Sequence, residues 1–427
     1  MKPSAGLLMH AETVLRELLR FDGPADQVLS RYLRAHPELG QRDRSFVAEA
    51  AFAVLRRRRS LEALSGGTDP GALLVAALVR VLGFSGRALE GLAAPALVER
   101  IRAARLEALP DAVRSDLPDW LWQELAGEHG REEALAIAQG LLNAAPLDLR
   151  VNLARTSREE VLARLARDGI EASATSHAPS GVRLAGKPAI NQHPLFRDGL
   201  IEVQDEGSQL LAYLLAPRRG EMIADYCAGA GGKTLALAML MRGAGRVYAM
   251  DVSAKRLAAL GARAARAQVS NVHSIALAGD NDSRAKRLAG KLERVLVDAP
   301  CSGFGTLRRN PDLKWRHDRQ AVAELAQKQA RILMAAARLV KPGGRLLYAT
   351  CSILPAENEA IVDQFAATTP QFAPLSCAEL LAGQRIALDT GERLRLWPHR
   401  HGTDGFFAAA FERRLESPKH DKNPLQA

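Results

Sequence analysis

Apolar side chains recur every three or four positions through the first 140 residues, which is the period of an α-helix. A first segment carries them from Leu7 to Leu19, and three later segments repeat the pattern. Because runs of β-branched residues hardly interrupt this stretch, it predicts a helical bundle over residues 1–140. The three later segments are Asp43–Leu61, Ala72–Leu82 and Leu97–Leu109.

After Pro146 the helical period gives way to short alternating stretches. Ser157 is followed three positions later by Glu160, which predicts a capped helix that ends before Gly169. With short strands on both sides, this pattern predicts a small α+β subdomain over residues 147–204, which serves either as a docking surface for RNA or as a spacer. The predicted strands are Leu147–Asn152, Glu171–Ser176 and Val182–Leu184.

From residue 205 onward, strand-like and helix-like stretches alternate along the chain. This alternation predicts an α/β domain over residues 205–415 with a doubly wound, mostly parallel sheet. Residues 416–427 are polar and contain proline, so we expect a flexible tail there. The predicted strands are Glu221–Cys227, Arg246–Asp251, Val272–Leu277, Arg294–Asp298, Gly344–Thr350, Arg393–Trp397 and Phe406–Glu412, and the predicted helices are Gly231–Met241, Ser253–Ala267 and Gln320–Val340.

Composition adds little to the fold but narrows the choice of partner. Apolar residues make up 47% of the chain and charged residues 25%, which is usual for a globular protein. The formal net charge of +10 favours an anionic partner such as nucleic acid. A basic, solvated surface explains the same charge equally well.

Four cysteines occur in the chain, and none forms a Cys-x-x-Cys pair, so we expect no metal site and a reducing compartment. The amino terminus lacks the compact apolar core of a signal peptide. The apolar run at 72–84 is interrupted by Arg80 and is too short to cross a membrane. These observations predict a cytoplasmic protein without a membrane segment, and we expect a monomer.

Two cysteines follow strand-like apolar runs and stand fifty positions apart. Cys301 lies in the motif DAPCSG (Asp298–Gly303), and Cys351 lies in the motif TCS (Thr350–Ser352). Ligands bind at the carboxyl ends of strands in open α/β sheets, so we expect both thiols and Asp298 to face one crevice. A buried structural cysteine is the usual alternative, but two in such contexts favour a reaction that uses both sulfurs on one base.

The loop Asp225–Thr234 (DYCAGAGGKT) carries three glycines between a predicted strand and a predicted helix. Glycine lets the backbone approach a ligand closely and turn sharply into a helix. A phosphate-binding Walker loop would need glycine where Cys227 stands, and a dinucleotide site would need it where Thr234 stands. Asp251 ends the next strand, 22 positions after Gly229, where a carboxylate accepts ribose hydroxyls. The loop therefore predicts an adenosyl ligand, and a loop shaped only by packing is the alternative.

Two basic stretches are candidate RNA contacts. Arg56–Arg59 is a run of four arginines near a predicted helix end, where phosphate contact competes with a solvated face or a favourable interaction with the helix dipole. The stretch Arg308–Arg316 contains Arg308, Arg309, Lys314 and Arg316 together with Trp315, a combination that neutralises phosphates and stacks on bases. The alternative for Trp315 is a packing anchor in the core.

Taken together, these motifs resemble the Nop/Sun family of RNA (cytosine-5) methyltransferases, and most of all its bacterial Sun-type, RsmB-like members, which act on 16S rRNA. The resemblance covers about residues 147–413. Over the helical front it is weaker, and there Arg44 and the run Val54–Arg56 resemble a NusB-like RNA-binding domain. Further matching motifs are Gly279-Asp280, RRNPDLKW (Arg308–Trp315), Glu357-Asn358 and HGTDGFF (His401–Phe407).

The resemblance implies a Rossmann-like, S-adenosylmethionine-dependent methyltransferase domain. It implies that the glycine loop holds the methionine end of S-adenosylmethionine, that Asp251 takes the ribose and Asp280 the adenine side, and that Asp298 lies at the methyl group. The family commonly has proline where this chain has Ala230. The implied cofactor residues are Cys227, Ala228, Gly229, Ala230, Gly231, Gly232, Lys233, Asp251, Asp280 and Asp298.

Carbon 5 of cytosine takes a methyl group only after a thiolate has added to carbon 6 and turned the ring into an enamine. Asp298 is the candidate to protonate or hydrogen-bond ring nitrogen 3. The residues alone leave open which thiol adds. The Pro-Cys motif of DNA cytosine-5 methyltransferases would nominate Cys301, although Glu357-Asn358 matches the glutamate motif of those enzymes only in part. The Nop/Sun resemblance implies Cys351 as the nucleophile and Cys301 as the residue that releases the product.

Structured RNA is the partner that the resemblance implies, with 16S rRNA as the expected target and tRNA as the runner-up. The target cytosine has to leave its stack to reach the thiols and the methyl donor. Two other classes remain open. One is a nucleotide hydrolase, which the position of Cys227 disfavours, and the other is a non-catalytic RNA-binding or ribosome-assembly factor on a methyltransferase scaffold.

Overall fold

The computed structural model describes residues 3–415, and the predicted tail at 416–427 lies outside them. The first part of the described chain is helical. The apolar faces of its helices up to Ala103 share one core that includes Val14, Leu15 and Leu78, whereas Leu121 and Ile137 pack in another core with Phe304. Its α-helices are α1 (Ala5–Leu18), α2 (Ala25–Ala35), α3 (Gln41–Arg56), α4 (Arg58–Ser65), α5 (Pro70–Arg80), α6 (Pro95–Ala103), α7 (Asp111–Arg114), α8 (Asp119–His129) and α9 (Arg131–Leu142).

The single helix predicted over Asp43–Leu61 is wrong, because the chain breaks it at Arg57. Arg57 has φ −119° and ψ 32°, which are not helical values. The buried Asp116 accepts hydrogen bonds from the amide and the hydroxyl of Ser60, both at 2.8 Å. A carboxylate from a distant turn therefore caps the first turn of α4, where helix N–H groups lack partners within the helix.

Residues 147–203 form a small antiparallel sheet with helices on it. Its elements are β1 (Leu147–Val151), α10 (Arg158–Arg167), β2 (Ala172–Ala174), β3 (Gly181–Leu184), α11 (Pro194–Arg197) and β4 (Ile201–Val203). The strand order is β2-β3-β1-β4. The capped helix is confirmed, since Ser157 and Glu160 bond each other's backbone N–H reciprocally at 3.1 Å. Strand β4 was not predicted, because three residues are too short for an alternating pattern to indicate a strand.

The following region is built on a larger mixed sheet. Its strands are β5 (Met222–Asp225), β6 (Arg246–Asp251), β7 (Val272–Ala276), β8 (Leu292–Asp298), β9 (Val340–Thr350), β10 (Phe372–Leu375), β11 (Leu394–Leu396) and β12 (Phe406–Arg413). The order is β10-β12-β9-β8-β5-β6-β7, and β11 also pairs with β12. Strands β5 to β9 are parallel, and β12 is antiparallel to β9. The predicted doubly wound, Rossmann-like α/β fold is confirmed.

Helices cover both faces of this sheet. They are α12 (Glu206–Leu215), α13 (Gly232–Leu240), α14 (Ala254–Arg266), α15 (Ser283–Lys286), α16 (Leu313–Arg316), α17 (Arg319–Ala337), α18 (Glu359–Thr368), α19 (Cys377–Gly383) and α20 (Pro398–His401). Val295 and Val297 of β8 pack in one layer with Leu333 of α17, while Leu296 packs in the other with Leu211 of α12. The strand order reverses between β5 and β8, so the crevice at their carboxyl ends is the expected ligand site. Among the described residues, no helix is both long and apolar enough to cross a membrane.

Part of the segment Arg308–Arg316 packs against the helical region. Lys314 is 2% exposed, and its Nζ donates a hydrogen bond to the carbonyl of Arg56 (2.8 Å). The indole N–H of Trp315 donates to the carbonyl of Leu55 (3.1 Å). The prediction of RNA contact is therefore wrong for Lys314, whereas the hydrogen bond of Trp315 favours the alternative of a packing anchor.

The arginine run 56–59 is engaged inside the protein as well. Arg56 donates to the carbonyl of Arg308 (3.0 Å), and Arg59 forms an ion pair with Asp119 (2.7 Å). These bonds favour a structural role over phosphate contact. The domain limits at residues 140, 147, 204 and 415 stay predictions, as does the NusB-like character of the helical front.

Candidate active site

Strands β8 and β9 are parallel neighbours, and the loops at their carboxyl ends bring Cys301 and Cys351 together. Asp298 pairs in register with Ala349, and the Ala299 amide donates to the Ala349 carbonyl (2.8 Å), so both loops leave the sheet side by side. The two Sγ atoms lie 3.4 Å apart, and both cysteines are partly exposed. Both thiols can therefore reach one substrate ring.

A third loop supports the two cysteine loops through the backbone. Gly305 donates its N–H to the Cys351 carbonyl and accepts from the Gly405 N–H, both at 2.8 Å. A Cβ atom at Gly305 would lie 2.1 Å from the Gly405 carbonyl oxygen, so only glycine fits at this position. The HGTDGFF motif thus holds the thiol site in place by means of Gly405.

An ion pair stands at the edge of the site. Lys233, in the first turn of α13, places its Nζ 2.8 Å from Oδ2 of Asp298. Burial lowers the pKa of Lys233, but the Asp298 carboxylate beside it raises that pKa more, with a smaller contribution from Cys351 in the same direction. The ammonium form of Lys233 is therefore stable next to the thiols.

The glycine loop between β5 and α13 contacts the acid at the end of β6. The Gly229 amide donates to one carboxylate oxygen of Asp251 (2.8 Å), and the Ser253 amide donates to the other (2.7 Å). Gly231 has φ 86°, and a Cβ atom there would lie 2.1 Å from a methyl carbon of Leu260. The two features that predicted an adenosyl ligand therefore form one continuous structure.

Arginines from outside the loop bind its carbonyl groups. Arg263 of α14 donates to Ala230, and Arg150 of β1 donates to Gly232, both at 2.7 Å. Arg150 is 4% exposed, and burial lowers its pKa to about 10. Because Arg150 belongs to the small sheet, the residues at 147–203 support the glycine loop and are more than a spacer. Burial raises the pKa of the Cys227 thiol well above its ordinary value, so Cys227 is a neutral lining group.

Asp280 is a predicted site residue that faces α17. It is exposed in the turn after β7, 3.7 Å from Arg331 of α17. With Leu333 and Phe365 it lines a cavity of about 550 Å³. Its contact with adenine stays a prediction.

Two family models match this chain. One described as 16S rRNA methyltransferase RsmB/F matches residues 212–412, and one described as an RsmF/B-like, ferredoxin-like domain matches residues 117–191. A probable ribosomal RNA small subunit methyltransferase B of Synechocystis sp. is 33% identical over 93% of this chain and 97% of its own length. The Bacillus subtilis protein of the same description is 33% identical over 74% of this chain and 72% of its own length. The chain belongs to the RsmB/F family.

Solved structures agree with this membership. The crystal structure of PH0851 is 26% identical, has a TM-score of 0.79, and the match covers 97% of this chain and 100% of the other. A methyltransferase homolog protein from Pyrococcus horikoshii is 30% identical with a TM-score of 0.61, over 71% of this chain and 98% of its own. The Sun-type resemblance is confirmed, and this RsmB/F family member is an RNA methyltransferase.

Sequence reasoning missed a buried acid in this RsmB/F methyltransferase. Asp225 ends β5 beneath the glycine loop, is 1% exposed, and accepts a hydrogen bond from the Thr234 hydroxyl (2.7 Å). Burial raises its pKa from the usual 3.8 to about 7. The signal available in the sequence was its position as the first residue of DYCAGAGGKT.

The aspartate of the HGTDGFF motif binds the arginines of the RRNPDLKW motif. Asp404 accepts hydrogen bonds from Arg308 (3.0 Å) and Arg309 (2.6 Å), and Asp205 also pairs with Arg309 (3.0 Å). Burial and the Asp404 charge raise the pKa of Asp205 to about 6. Arg308 is 5% exposed, so the prediction that it contacts RNA is wrong.

One group of possible metal ligands exists among the described residues of this RsmB/F methyltransferase. His10, His36 and Glu38 have ligand atoms within 4.8 Å of one another in the helical region. Glu38 is exposed and already bonds His36 (2.8 Å). The expectation that the enzyme needs no metal stays a prediction, as do the monomeric state and the cytoplasmic location.

Proposed function

We propose that this protein transfers a methyl group from S-adenosylmethionine to carbon 5 of a cytosine in 16S rRNA, through a covalent bond between Cys351 and carbon 6. The observation that carries the proposal is the pair of thiols 3.4 Å apart beside the Lys233–Asp298 ion pair. The family model and the names of the relatives support the RNA target.

The glycine loop fits S-adenosylmethionine. Free N–H groups at the start of α13 suit the methionine carboxylate, since helix amino ends favour anions. Asp251 is fixed by its bonds to Gly229 and Ser253 at the strand end where a carboxylate accepts ribose hydroxyls. When bound, S-adenosylmethionine supplies a methyl group on a positively charged sulfur. Asp280 is assigned to the adenine side.

Charge near the two thiols supports Cys351 as the nucleophile. Lys233 is the cation near Cys351, and the interaction between the two contributes in part to the raised pKa of Lys233. The hydrogen bond to Cys351, then burial and the charges of Cys351 and Glu357, raise the pKa of Cys301 well above its usual value. Cys301 therefore keeps its proton and donates it to the sulfur of Cys351 in the free enzyme. A thiolate is the reactive form of cysteine.

The same hydrogen bond assigns the later step to Cys301. When the Cys351 sulfur bonds to carbon 6, it loses its charge and accepts only a weaker hydrogen bond, and that hydrogen bond was the largest cause of the raised pKa of Cys301. Cys301 then gives its proton to solvent water more readily and, as a thiolate, takes the proton from carbon 5. The electron pair of that C–H bond re-forms the ring double bond, and the Cys351 sulfur leaves as a thiolate.

Asp298 in its protonated form supplies the hydrogen bond at ring nitrogen 3, because an ionised carboxylate only accepts hydrogen bonds. Thiolate addition at carbon 6 places negative charge on the ring, and a group at nitrogen 3 has to stabilise it. Asp298 is held towards the crevice by Lys233, and its side chain is 28% exposed. The ion pair keeps Asp298 in place before the base arrives.

Bisulfite sequencing of total RNA from cells with and without this protein tests the proposal. We expect one cytosine of 16S rRNA to lose its protection from bisulfite when the protein is absent, and a Cys351→Ala variant to leave it unprotected. A lost site in tRNA would keep the chemistry and change the target. Unchanged protection throughout, with the protein expressed in the comparison cells, would overturn the proposed function.

A further inference from the structure

In both cysteine motifs the cysteine is followed by a serine, and the two serines lie as close together as the two cysteines. Each cysteine is followed by a serine, Ser302 and Ser352, and the two serine hydroxyl oxygens lie 3.3 Å apart while the two cysteine sulfurs lie 3.4 Å apart. The cysteines are partly exposed, whereas Ser302 is 1% and Ser352 is 2% exposed. Two Cys-Ser dipeptides therefore run side by side, with thiols outward and hydroxyls inward.

The inward side of this pair is filled by one carboxylate. Glu357 is fully buried and accepts hydrogen bonds from the Ser302 amide (2.8 Å) and from the hydroxyls of both serines. Gln329 of α17 donates to the same carboxylate (2.9 Å) and also to the carbonyl of Pro300 (3.0 Å), the residue before Cys301. The Glu357 side chain thus binds both cysteine loops at once.

In the part of the chain that the structure describes, Glu357 has no cationic partner that explains its burial. Among the described residues, no lysine, arginine or histidine nitrogen lies within 4.0 Å of its carboxylate. A buried charge costs several kcal/mol unless hydrogen bonds satisfy it, and here four donors do so. Three of those four donors belong to Ser302 and Ser352. The carboxylate can therefore be buried only while both cysteine loops are in place.

Further hydrogen bonds hold the backbone at Glu357 in place. Its carbonyl accepts from the hydroxyl of Tyr348 (2.7 Å), which lies on β9 three residues before Cys351. The next residue, Asn358, donates to the Ser352 carbonyl (3.1 Å). The carboxylate lies under the thiols and away from the crevice, so it cannot contact a base as the glutamate of DNA cytosine-5 methyltransferases would.

We propose that Glu357 is a positioning residue that sets the distance between the Cys301 and Cys351 thiols by tying the serine after each cysteine to one carboxylate. The proposal rests on the proposed function for its consequence in catalysis, but the thiol spacing can be measured without it. A displacement of about 1 Å in a reacting group lowers the rate about 100-fold. Loss of the tie therefore lowers kcat, while affinity for S-adenosylmethionine stays the same.

Phenylarsine oxide is the probe for the spacing. Its arsenic bonds to two adjacent thiols with release of water, so its affinity depends on how close the two sulfurs are held. Binding is measured for the wild type and for Glu357→Ala, Glu357→Gln and Glu359→Ala, with Cys301→Ala and Cys351→Ala as negative controls. Glu359 is the matched control, because it lies two residues away and pairs with Arg395 outside the thiol site (2.7 Å).

We expect Glu357→Ala to bind the arsenical about tenfold more weakly and to turn over 16S rRNA about 100-fold more slowly, with an unchanged Kd for S-adenosylmethionine. Glu357→Gln rescues both, because an amide keeps the size and the serine hydroxyls can turn to accept from it. Wild-type arsenical affinity in Glu357→Ala would overturn the proposal. Equal losses of arsenical and S-adenosylmethionine binding would also overturn it, since they would indicate a general structural role.

A second set of variants keeps the test decisive if Glu357→Ala fails to fold. Ser302→Ala combined with Ser352→Ala removes both hydroxyls and leaves the carboxylate and its other donors in place. We expect the same weaker arsenical binding, and an unchanged affinity would overturn the proposal. A wild-type enzyme that binds the arsenical but methylates no RNA would refute the proposed function and leave the role of Glu357 in spacing intact.

Discussion

Cys301 and Cys351 stand 50 positions apart in the chain, yet their sulfur atoms lie 3.4 Å apart. Parallel pairing of β8 with β9 accounts for this, because it aligns the carboxyl ends of both strands at one edge of the sheet. Their environments differ: Lys233 is near Cys351, and the buried Glu357 is near Cys301. Two identical groups therefore lie in different electrostatic surroundings, which is the basis for the different roles proposed for them.

Single cysteine variants separate the two roles. If Cys301 releases the product, Cys301→Ala should form the bond to carbon 6, transfer the methyl group and stop there. We expect it to accumulate a covalent enzyme–RNA species on a denaturing gel with 16S rRNA and S-adenosylmethionine, while Cys351→Ala forms none. The reverse pattern would assign the nucleophile to Cys301, as the Pro-Cys motif suggests.

The short sulfur–sulfur distance predicts a reversible oxidation. A disulfide bond is about 2.05 Å long, so the sulfurs have to approach by little more than 1 Å. Diamide takes one hydrogen from each thiol and is reduced to the hydrazine as the disulfide forms. We expect the wild type to lose two of its four free thiols and all methyl transfer, and to regain both with dithiothreitol.

Variants without one of the two thiols are the control for that oxidation. Cys301→Ala and Cys351→Ala should keep all of their remaining thiols after diamide, because Cys377 is fully buried on the sheet and burial raises the pKa of Cys227 well above its usual value. Four free thiols in the oxidised wild type would show that the sulfurs cannot close the remaining gap.

Sequence patterns were sufficient for the strands that carry the site. The strand Arg246–Asp251 has the predicted limits, and the predicted ends at Asp298 and Thr350 agree with β8 and β9. These elements carry apolar runs bounded by turn residues, which are local signals. The glycine loop was identifiable for the same reason, since its function depends on small residues in consecutive positions.

Features that depend on distant partners were not identifiable. The roles of Ser302, Ser352 and Glu357 exist only once β8 and β9 are paired. Lys314 and Arg308 have the composition of an RNA-binding surface, but contacts with residues about 100 to 260 positions away bury them. The break at Arg57 likewise depends on Asp116, and no glycine or proline marks that point in the sequence.

Asp225 predicts how stability depends on pH. The raised pKa means that, between the usual 3.8 and about 7, the folded protein holds a proton that the unfolded chain has lost. The stability that this proton contributes is present at acid pH and is lost as the pH rises through about 7. Asp225→Asn is neutral at every pH and still accepts the hydrogen bond from Thr234.

Denaturant unfolding without cofactor at about pH 5.5 and about pH 8.5 tests this dependence. We expect Asp225→Asn to be more stable than the wild type by on the order of 2 to 4 kcal/mol at the higher pH and by about half as much at the lower, since pH 5.5 lies midway between 3.8 and about 7. Asp363→Asn, at an exposed carboxylate paired with Arg393, should show no such difference. A benefit of equal size at both pH values would mean that Asp225 is ionised in the folded protein throughout.

Trp315 connects the catalytic region to the helical region, and its replacement tests how much that contact stabilises the protein. Its ring lies 6.3 Å from that of Phe21, the Arg58 guanidinium lies 5.3 Å from its centroid, and its N–H bonds to Leu55. Trp315→Ala should lower the free energy of unfolding by on the order of 2 kcal/mol and expose the junction to limited proteolysis, because it removes aromatic packing between the helical region and the catalytic region. Trp315→Phe keeps most of that packing and should lose only about 1 kcal/mol for the hydrogen bond. If instead Trp315→Ala left stability unchanged and weakened binding of 16S rRNA, with Trp315→Phe binding normally, the ring would be a stacking surface for RNA after all.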